Sequence, residues 1–258
     1  MNSTTQDQSN AQIARRGFLQ RLGVLGVAAV AAPVLLPSDS NARLTTLKGV
    51  TDKHRWGLLI DSSKCAAGCD ACVRGCNEEH GISSTGNDDT DAQWIRKIDL
   101  QDNLTGQLSS LPMLCQHCDS APCVDVCPTG ASFKRADGVV LVNKHTCIGC
   151  RYCVMACPYK ARSFIHEPIT DQKSWAPRGQ GTVESCTLCV HRIDARKDAD
   201  AEQQPACAVA CTDEAHSAIL FGDLNDPNSE ITKAIAERRA LQVRSDLSLN
   251  TGVRYTKL

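Results

Sequence analysis

The chain has 258 residues, of which 4% are aromatic and 22% are charged, and its formal net charge is −1. Neither charge value favours nucleic-acid binding, which requires a clustered basic surface, and so few aromatic side chains do not build a large aromatic core. The chain also contains 16 cysteines, so metal centres bound by thiolates are the candidates for holding it together. After the N-terminal segment, no apolar run is long enough to span a bilayer.

Residues 1–42 are similar to an export signal. They contain the sequence Arg-Arg-Gly-Phe-Leu at 15–19, a mildly apolar run at 22–36 and a small-x-small cleavage site at 40–42. The Arg-Arg-x-Phe-Leu core resembles a twin-arginine signal, although Ala14 stands where such signals usually carry Ser or Thr. An ordinary secretory signal and an uncleaved membrane anchor are the alternatives. The twin-arginine route exports folded proteins, which suits clusters acquired in the cytoplasm, so we expect a periplasmic protein.

Short apolar and β-prone stretches predict six strands, two of which form a hairpin around Asp137-Gly138. These strands lie at 54–60, 94–100, 132–135, 139–142, 162–166 and 218–224. Two helices are also predicted. One covers 190–197, and the other runs from Pro227 to Leu241 with Asp226 as its cap. The tail from Gln242 is polar.

Four runs of four cysteines account for all 16, with none left over. The third run, Cys147 to Pro158, reads C-x2-C-x2-C-x3-C-P, which is the pattern by which bacterial ferredoxins hold 4Fe–4S clusters. In two-cluster ferredoxins the fourth cysteine of such a run binds the other cluster, so each run predicts a partner run. The runs are Cys65, Cys69, Cys72 and Cys76; Cys115, Cys118, Cys123 and Cys127; Cys147, Cys150, Cys153 and Cys157; and Cys186, Cys189, Cys207 and Cys211.

The nesting of the runs predicts how they pair. Runs two and three are neighbours, and runs one and four lie outside them, so we expect four 4Fe–4S clusters, each bound by three cysteines of one run and the last of its partner. We call these predicted ligand sets quartets A to D. Quartet A is Cys65, Cys69, Cys72 and Cys211; quartet B is Cys76, Cys186, Cys189 and Cys207; quartet C is Cys115, Cys118, Cys123 and Cys157; quartet D is Cys127, Cys147, Cys150 and Cys153. The third run, in quartet D, is expected to be an inner relay of the row.

Two other interpretations fit the cysteine count. An exported protein with an even number of cysteines can hold a disulfide framework, and four thiolates can hold structural zinc. Neither accounts for two closely spaced runs that end in Cys-Pro, at Cys127-Pro128 and Cys157-Pro158. Clusters are therefore favoured, and His117, which lies between two cysteines, is not needed as a ligand.

The whole pattern over about 54–225 resembles a known family. Signal, run order and spacings are similar to the four-cluster iron–sulfur subunits of molybdopterin oxidoreductases, the group of NrfC, polysulfide reductase B and tetrathionate reductase B. Within that group the chain resembles the DsrO-type periplasmic subunits of the sulfite reductase-linked DsrMKJOP complex. The segments that carry this resemblance are Trp56–Asp61, Cys115–Cys118, Phe133–Gly138, Cys147–Arg151 and Phe221–Ser229.

The resemblance implies an α+β fold of two ferredoxin-like halves, with many irregular loops around the four clusters. The inner half would cover about 108–167, and the outer half about 54–107 plus 168–225. The C-terminal helix and tail would follow at 226–258, so the whole domain would cover 43–258 after the signal.

The resemblance also implies an electron-transfer subunit that reaches the membrane through its partners. Those partners would be an NrfD-like, quinone-interacting membrane subunit (DsrP-like) and a multihaem cytochrome c (DsrJ-like). No residue pattern points to a substrate-handling catalyst, so we expect no catalytic site of its own. Two alternatives stay open: the β-subunit of a periplasmic molybdopterin reductase acting on tetrathionate or polysulfide, and a non-redox module whose clusters only stabilise the fold.

Overall fold

The computed structural model describes residues 50–66, 68–87, 89–106, 108–195, 203–214 and 216–256. The export signal predicted at 1–42 lies outside these residues. The strands are β1 Trp56–Asp61, β2 Ile95–Gln101, β3 Leu108–Leu114, β4 Ser132–Lys134, β5 Val140–Val142, β6 Ser163–Phe164, β7 Val183–Glu184, β8 Ile219–Asp223 and β9 Val253–Thr256. The helices are α1 Ala71–His80, α2 Pro122–Asp125, α3 Tyr152–Ala156, α4 Val190–Asp194, α5 Ala206–Asp213 and α6 Glu230–Arg238.

A three-stranded sheet in the order β8-β1-β9 forms the centre of the fold. Strand β1 pairs antiparallel with β8 and parallel with β9, and Ile60 stands opposite Ile219 and Tyr255. Leu58, Leu59 and Ile60 are fully buried, which explains why this strand reads as a continuous apolar run rather than an alternating one. Strand β9 comes from the polar tail, where the sequence pattern did not predict a strand.

Three antiparallel two-stranded sheets complete the strand pairing of the described residues: β2–β3, β4–β5 and β6–β7. The hairpin predicted around Asp137-Gly138 is confirmed as β4–β5, and Gly138 has the positive φ of 84° that favours glycine in its turn. The mixture of helices and small sheets confirms the α+β class. The division into two ferredoxin-like halves stays a prediction.

The C-terminal helix is shorter than predicted and begins three residues later. Helix α6 covers Glu230–Arg238, and its cap is Ser229, whose hydroxyl oxygen accepts a hydrogen bond from the backbone N–H of Thr232 at 3.3 Å. Asp226 instead accepts the backbone N–H of Asn228 at 2.8 Å in the turn before the helix. The predicted cap at Asp226 is therefore wrong, because a local Asx turn takes that carboxylate.

Helices α1 and α5 pack closely, and this contact positions half of the cysteines of two runs. A side chain at Gly75 would lie 2.7 Å from the Cβ of Ala210 and 3.2 Å from the carbonyl oxygen of Ala206. A glycine at this position therefore lets the two helices approach. The approach brings the end of the first run beside the end of the fourth. No helix among the described residues is long and apolar enough to cross a membrane.

Candidate iron–sulfur centres

The structure brings the members of each predicted quartet together. The four cysteines of quartet D line one small cavity, and the four of quartet A line another. In quartet B, burial raises the pKa of Cys76, and the neighbouring thiolates of Cys186, Cys207 and Cys189 raise it further. In quartet C, burial raises the pKa of Cys118 to about 12, to which the other three members contribute. The role of each quartet as a ligand set stays a prediction.

Residues with left-handed backbone shape the loop of the third run. Gly149 has a φ of 69°, and Arg151 has a φ of 63° at the start of α3. A Cβ at Gly149 would overlap the carbonyl oxygen of Gly181. The Arg151 guanidinium lies over the Phe164 ring, 3.9 Å from its centroid. The short spacing C-x2-C-x2-C therefore curls back on itself, which turns successive thiols toward one point.

All sixteen cysteines are free, so the disulfide alternative is wrong. Backbone N–H groups instead donate hydrogen bonds to cysteine sulfur atoms in all four quartets, as expected for ligands held as thiolates. The bonds run from Ser132 to Cys127 (3.3 Å), Ala161 to Cys157 (3.5 Å), Val183 to Cys147 (3.4 Å), Leu188 to Cys186 (3.4 Å), Ala206 to Cys189 (3.3 Å) and Ala218 to Cys211 (3.2 Å).

A buried cation also fits an anionic cluster. Arg162 is 5% exposed, and its three guanidinium nitrogens are buried without an oxygen acceptor. A buried charge is costly unless it is paired. The neighbouring His117 is 2% exposed; its Nδ1 accepts the backbone N–H of Val140 at 3.0 Å, which leaves Nε2 as the N–H donor, and Nε2 has no partner. Unpaired donors next to quartet C suit a cluster with net negative charge and sulfur acceptors.

Burial divides the quartets into two inner and two outer ones. Every cysteine of quartets B and C is buried. Quartet A contains two partly exposed members, Cys65 and Cys69, and quartet D contains the exposed Cys150. Interactions between cysteines of different quartets give the same arrangement. Cys207 of quartet B interacts with Cys72 of quartet A.

Two further pairs of neighbours complete the row. Cys186 of quartet B interacts with Cys115 of quartet C, and Cys123 of quartet C interacts with Cys153 of quartet D. The order along the protein is therefore A, B, C, D. The expectation that the third run is an inner relay is wrong: nesting in the sequence placed it centrally, but its loop lies at one end of the row.

Two cations beside the quartets could not be singled out from the sequence pattern. Arg162 follows the third run by five residues, and Lys97 lies on β2, far from any cysteine in sequence. The Lys97 ammonium donates a hydrogen bond to the carbonyl oxygen of Cys69 at 2.7 Å. Only pairing of the strands and loops brings these charges to the cysteines. Arg74, which the run itself contains, instead pairs with Asp70 and Glu214 at the surface.

Comparison with known proteins identifies the family. The chain is 36% identical over 268 aligned residues to the Hdr-like menaquinol oxidoreductase iron-sulfur subunit 1 of Archaeoglobus fulgidus, which covers 95% of this chain and 98% of that protein. The chain belongs to the ferredoxin-like iron–sulfur subunits of quinol and molybdopterin oxidoreductases. This iron–sulfur subunit also matches the 4Fe-4S dicluster domain family over residues 107–223.

Two more relatives of the iron–sulfur subunit lie within the group that the sequence resembles. Tetrathionate reductase B of Salmonella typhimurium is 36% identical, over 89% of this chain and 82% of that protein. The protein NrfC of Escherichia coli K12 is 36% identical, over 87% of this chain and 86% of that protein. The expected cofactors, 4Fe–4S clusters with the four per chain typical of the family, are thereby confirmed, and so is the general role in electron transfer.

Proposed function

We propose that this subunit relays electrons through quartets A to D between a membrane subunit of the NrfD type, which interacts with quinone, and redox partners in the periplasm. The complex would be of the DsrMKJOP type, linked to sulfite reductase and sulfur metabolism, with a DsrP-like membrane subunit and a DsrJ-like multihaem cytochrome c. Export by the twin-arginine route would bring the folded subunit to the periplasm. The menaquinol oxidoreductase relative, which matches over nearly its whole length, supports the link to quinol.

The observation that carries this proposal is the burial gradient along the row. The two inner quartets are enclosed by protein, whereas each outer quartet reaches the surface. Such a row suits a conductor that exchanges electrons at its ends and excludes solvent in between. When bound, the clusters would supply one-electron carriers. The protein tunes these carriers by charge, hydrogen bonds to sulfur and burial.

Both outer quartets have exposed apolar side chains nearby, which suits contact with partner proteins. At quartet D, Ile148 and Met155 are 67% and 68% exposed. At quartet A, the hairpin that supplies Lys97 to the cavity extends to Leu104 and Leu108 at its tip, which are 97% and 66% exposed. We therefore place the proposed partner contacts at these side chains.

A second candidate is the β-subunit of a molybdopterin reductase, favoured by the relative named as part of a tetrathionate reductase. Anaerobic purification of the native membrane complex separates the two. A multihaem cytochrome c in the complex supports the first candidate, and a catalytic molybdopterin subunit in its place supports the second.

Redox titration tests the role itself. The purified chain is expected to hold about sixteen iron and sixteen sulfide per molecule, as four cubane clusters require, and every cluster should reduce and reoxidise in the physiological range. Clusters that are neither reduced nor reoxidised in this range would contradict electron transfer and would support a purely structural role.

Substituting the last cysteines of runs two and three tests the crossed ligand sets. Cys127→Ala should perturb the spectroscopic signal of the quartet D cluster, although it belongs to the second run. Cys157→Ala should perturb the signal of quartet C, although it belongs to the third run. If each variant instead perturbs the cluster of its own run, the ligand sets are wrong.

A further inference from the structure

Three arginines are deeply buried in the described part of the chain, and only Arg162 has no oxygen acceptor for its guanidinium group. Arg135 pairs with Asp137 at 2.8 Å and Asp194 at 2.6 Å. Arg178 pairs with Glu184 at 2.6 Å and also donates to a backbone carbonyl. For Arg162, none of the three nitrogens has an oxygen acceptor, and the side chain lies against the sulfur atoms of Cys153 and Cys123. Since guanidinium stays charged at any working pH, its counter-charge must come from another group.

The groups that surround Arg162 are cysteines of two quartets. Ala161, the residue before Arg162, donates its backbone N–H to the sulfur of Cys157 in quartet C at 3.5 Å. Phe164, two residues after Arg162, pairs with Val183 on β7, and the backbone N–H of Val183 donates to the sulfur of Cys147 in quartet D at 3.4 Å. The groups that interact with the Arg162 guanidinium are Cys123, Cys115 and Cys153. Cys115 and Cys123 belong to quartet C, and Cys153 belongs to quartet D.

We infer that Arg162 is a positioning residue that holds one positive charge between the clusters of quartets C and D and raises the reduction potential of both. The inference rests on the proposed ligand sets. Reduction adds a negative charge to a cluster, and a fixed cation in a poorly solvated interior stabilises that added charge. Because Arg162 lies between two neighbouring centres, the reduced state is favoured at the end of the row that includes quartet D.

Lys97 offers a matched control at the opposite end. Its ammonium donates a hydrogen bond to the carbonyl oxygen of Cys69 at 2.7 Å, and Lys97 lines the same cavity as the four cysteines of quartet A. It is a single cation beside a single quartet. Loss of its charge should therefore act on quartet A alone, whereas loss of the Arg162 charge should act on quartets C and D.

The test is potentiometric titration of the loaded full-length protein, followed by electron paramagnetic resonance. Cys118→Ser and Cys147→Ser first identify the signals of quartets C and D by the change each makes. Arg162→Met should then lower the reduced-to-oxidised ratio of both clusters at least tenfold at a fixed potential. For a one-electron couple, this corresponds to a decrease of about 59 mV in the reduction potential. Arg162→Lys keeps the charge and should shift both signals less, and Lys97→Met should shift only quartet A.

Iron content separates the possible failures. If wild-type protein lacks four clusters, or if the cysteine variants change other signals, the proposed ligand sets fail first. If Arg162→Met keeps its iron and the potentials of quartets C and D do not move, the inference is overturned while the proposed function stands. If Arg162→Met loses clusters, the same titration is made on Arg162→Gln and Arg162→Lys. Variants that keep their clusters and show unchanged reduction potentials overturn the inference. A larger decrease of the reduction potentials in Arg162→Gln than in Arg162→Lys supports it.

Discussion

Gln116 donates a hydrogen bond from its side-chain amide to the hydroxyl oxygen of Tyr255, at 3.0 Å and with both side chains fully buried. The Tyr255 hydroxyl in turn donates to the carbonyl oxygen of Pro112 at 3.1 Å. Gln116 lies between two residues of the second cysteine run, and Tyr255 lies on β9 near the end of the chain. The last strand therefore holds the loop of quartet C in place.

Replacing Tyr255 by phenylalanine should lower the free energy of unfolding by about 1–2 kcal/mol, because the carbonyl of Pro112 loses its donor in a dry site. Denaturant unfolding of the loaded protein under anaerobic conditions measures this. Tyr152, which is 55% exposed, provides the matched control, and Tyr152→Phe should change the value by less than about 0.5 kcal/mol. Equal effects of the two substitutions would contradict the buried connection.

The ion pair between Arg178 and Glu184 should be costly to break from one side. Glu184 is 0% exposed and Arg178 is 9% exposed, so Glu184→Gln leaves a buried guanidinium without its anion. We expect a loss of about 3 kcal/mol in the free energy of unfolding, and a partial recovery when Arg178→Met is added. Asp246→Asn breaks an exposed pair with Arg244, so it serves as the control and should lower the free energy of unfolding far less than Glu184→Gln does. If the double variant is less stable than Glu184→Gln, the pair does not act as described.

Glu79 should make stability depend on acid pH. Hydrogen bonds from Arg192 and His191 hold the pKa of this carboxyl at about 2, below its usual 4.5. A lowered pKa in the folded state contributes stability that is complete above about 4.5 and is lost as the pH falls through about 2. Glu79→Gln should therefore be less stable than wild type by about 2 kcal/mol at neutral pH.

The difference between Glu79→Gln and wild type should narrow as the pH falls from about 4.5 toward 2. Urea midpoints of both proteins, taken at several pH values, measure it. A difference that stays constant across this range would show that packing, and not the charge of Glu79, is responsible.

Gly149→Ala should remove the cluster of quartet D selectively. The new Cβ meets the carbonyl of Gly181 and adds strain at a positive φ, so the loop of the third run cannot keep its shape. We expect iron to fall from about sixteen to about twelve per chain, as the loss of one cubane requires. Gly86 has a positive φ of 84° with open space around it. Gly86→Ala therefore introduces the same backbone strain without a steric overlap, and it should retain all iron. Full iron in Gly149→Ala would contradict this account.

The cofactor, the family and most of the strands were predictable from the amino-acid sequence. Ligand spacing within a run is a local property, so the segment from Cys147 to Pro158 indicates a 4Fe–4S cluster before any fold is known. The apolar run of β1 and the turn at Gly138 are equally local, and both were predictable for that reason.

The order of the quartets, the exposed position of Cys150, the strand around Tyr255 and the place of Arg162 became clear only in the folded chain. Each depends on segments far apart in the sequence that meet through packing. The polar tail becomes a strand only where β1 offers it a free edge. Arg162 comes to lie among cysteines of two runs only where their loops close around it, and burial then removes water as its alternative partner.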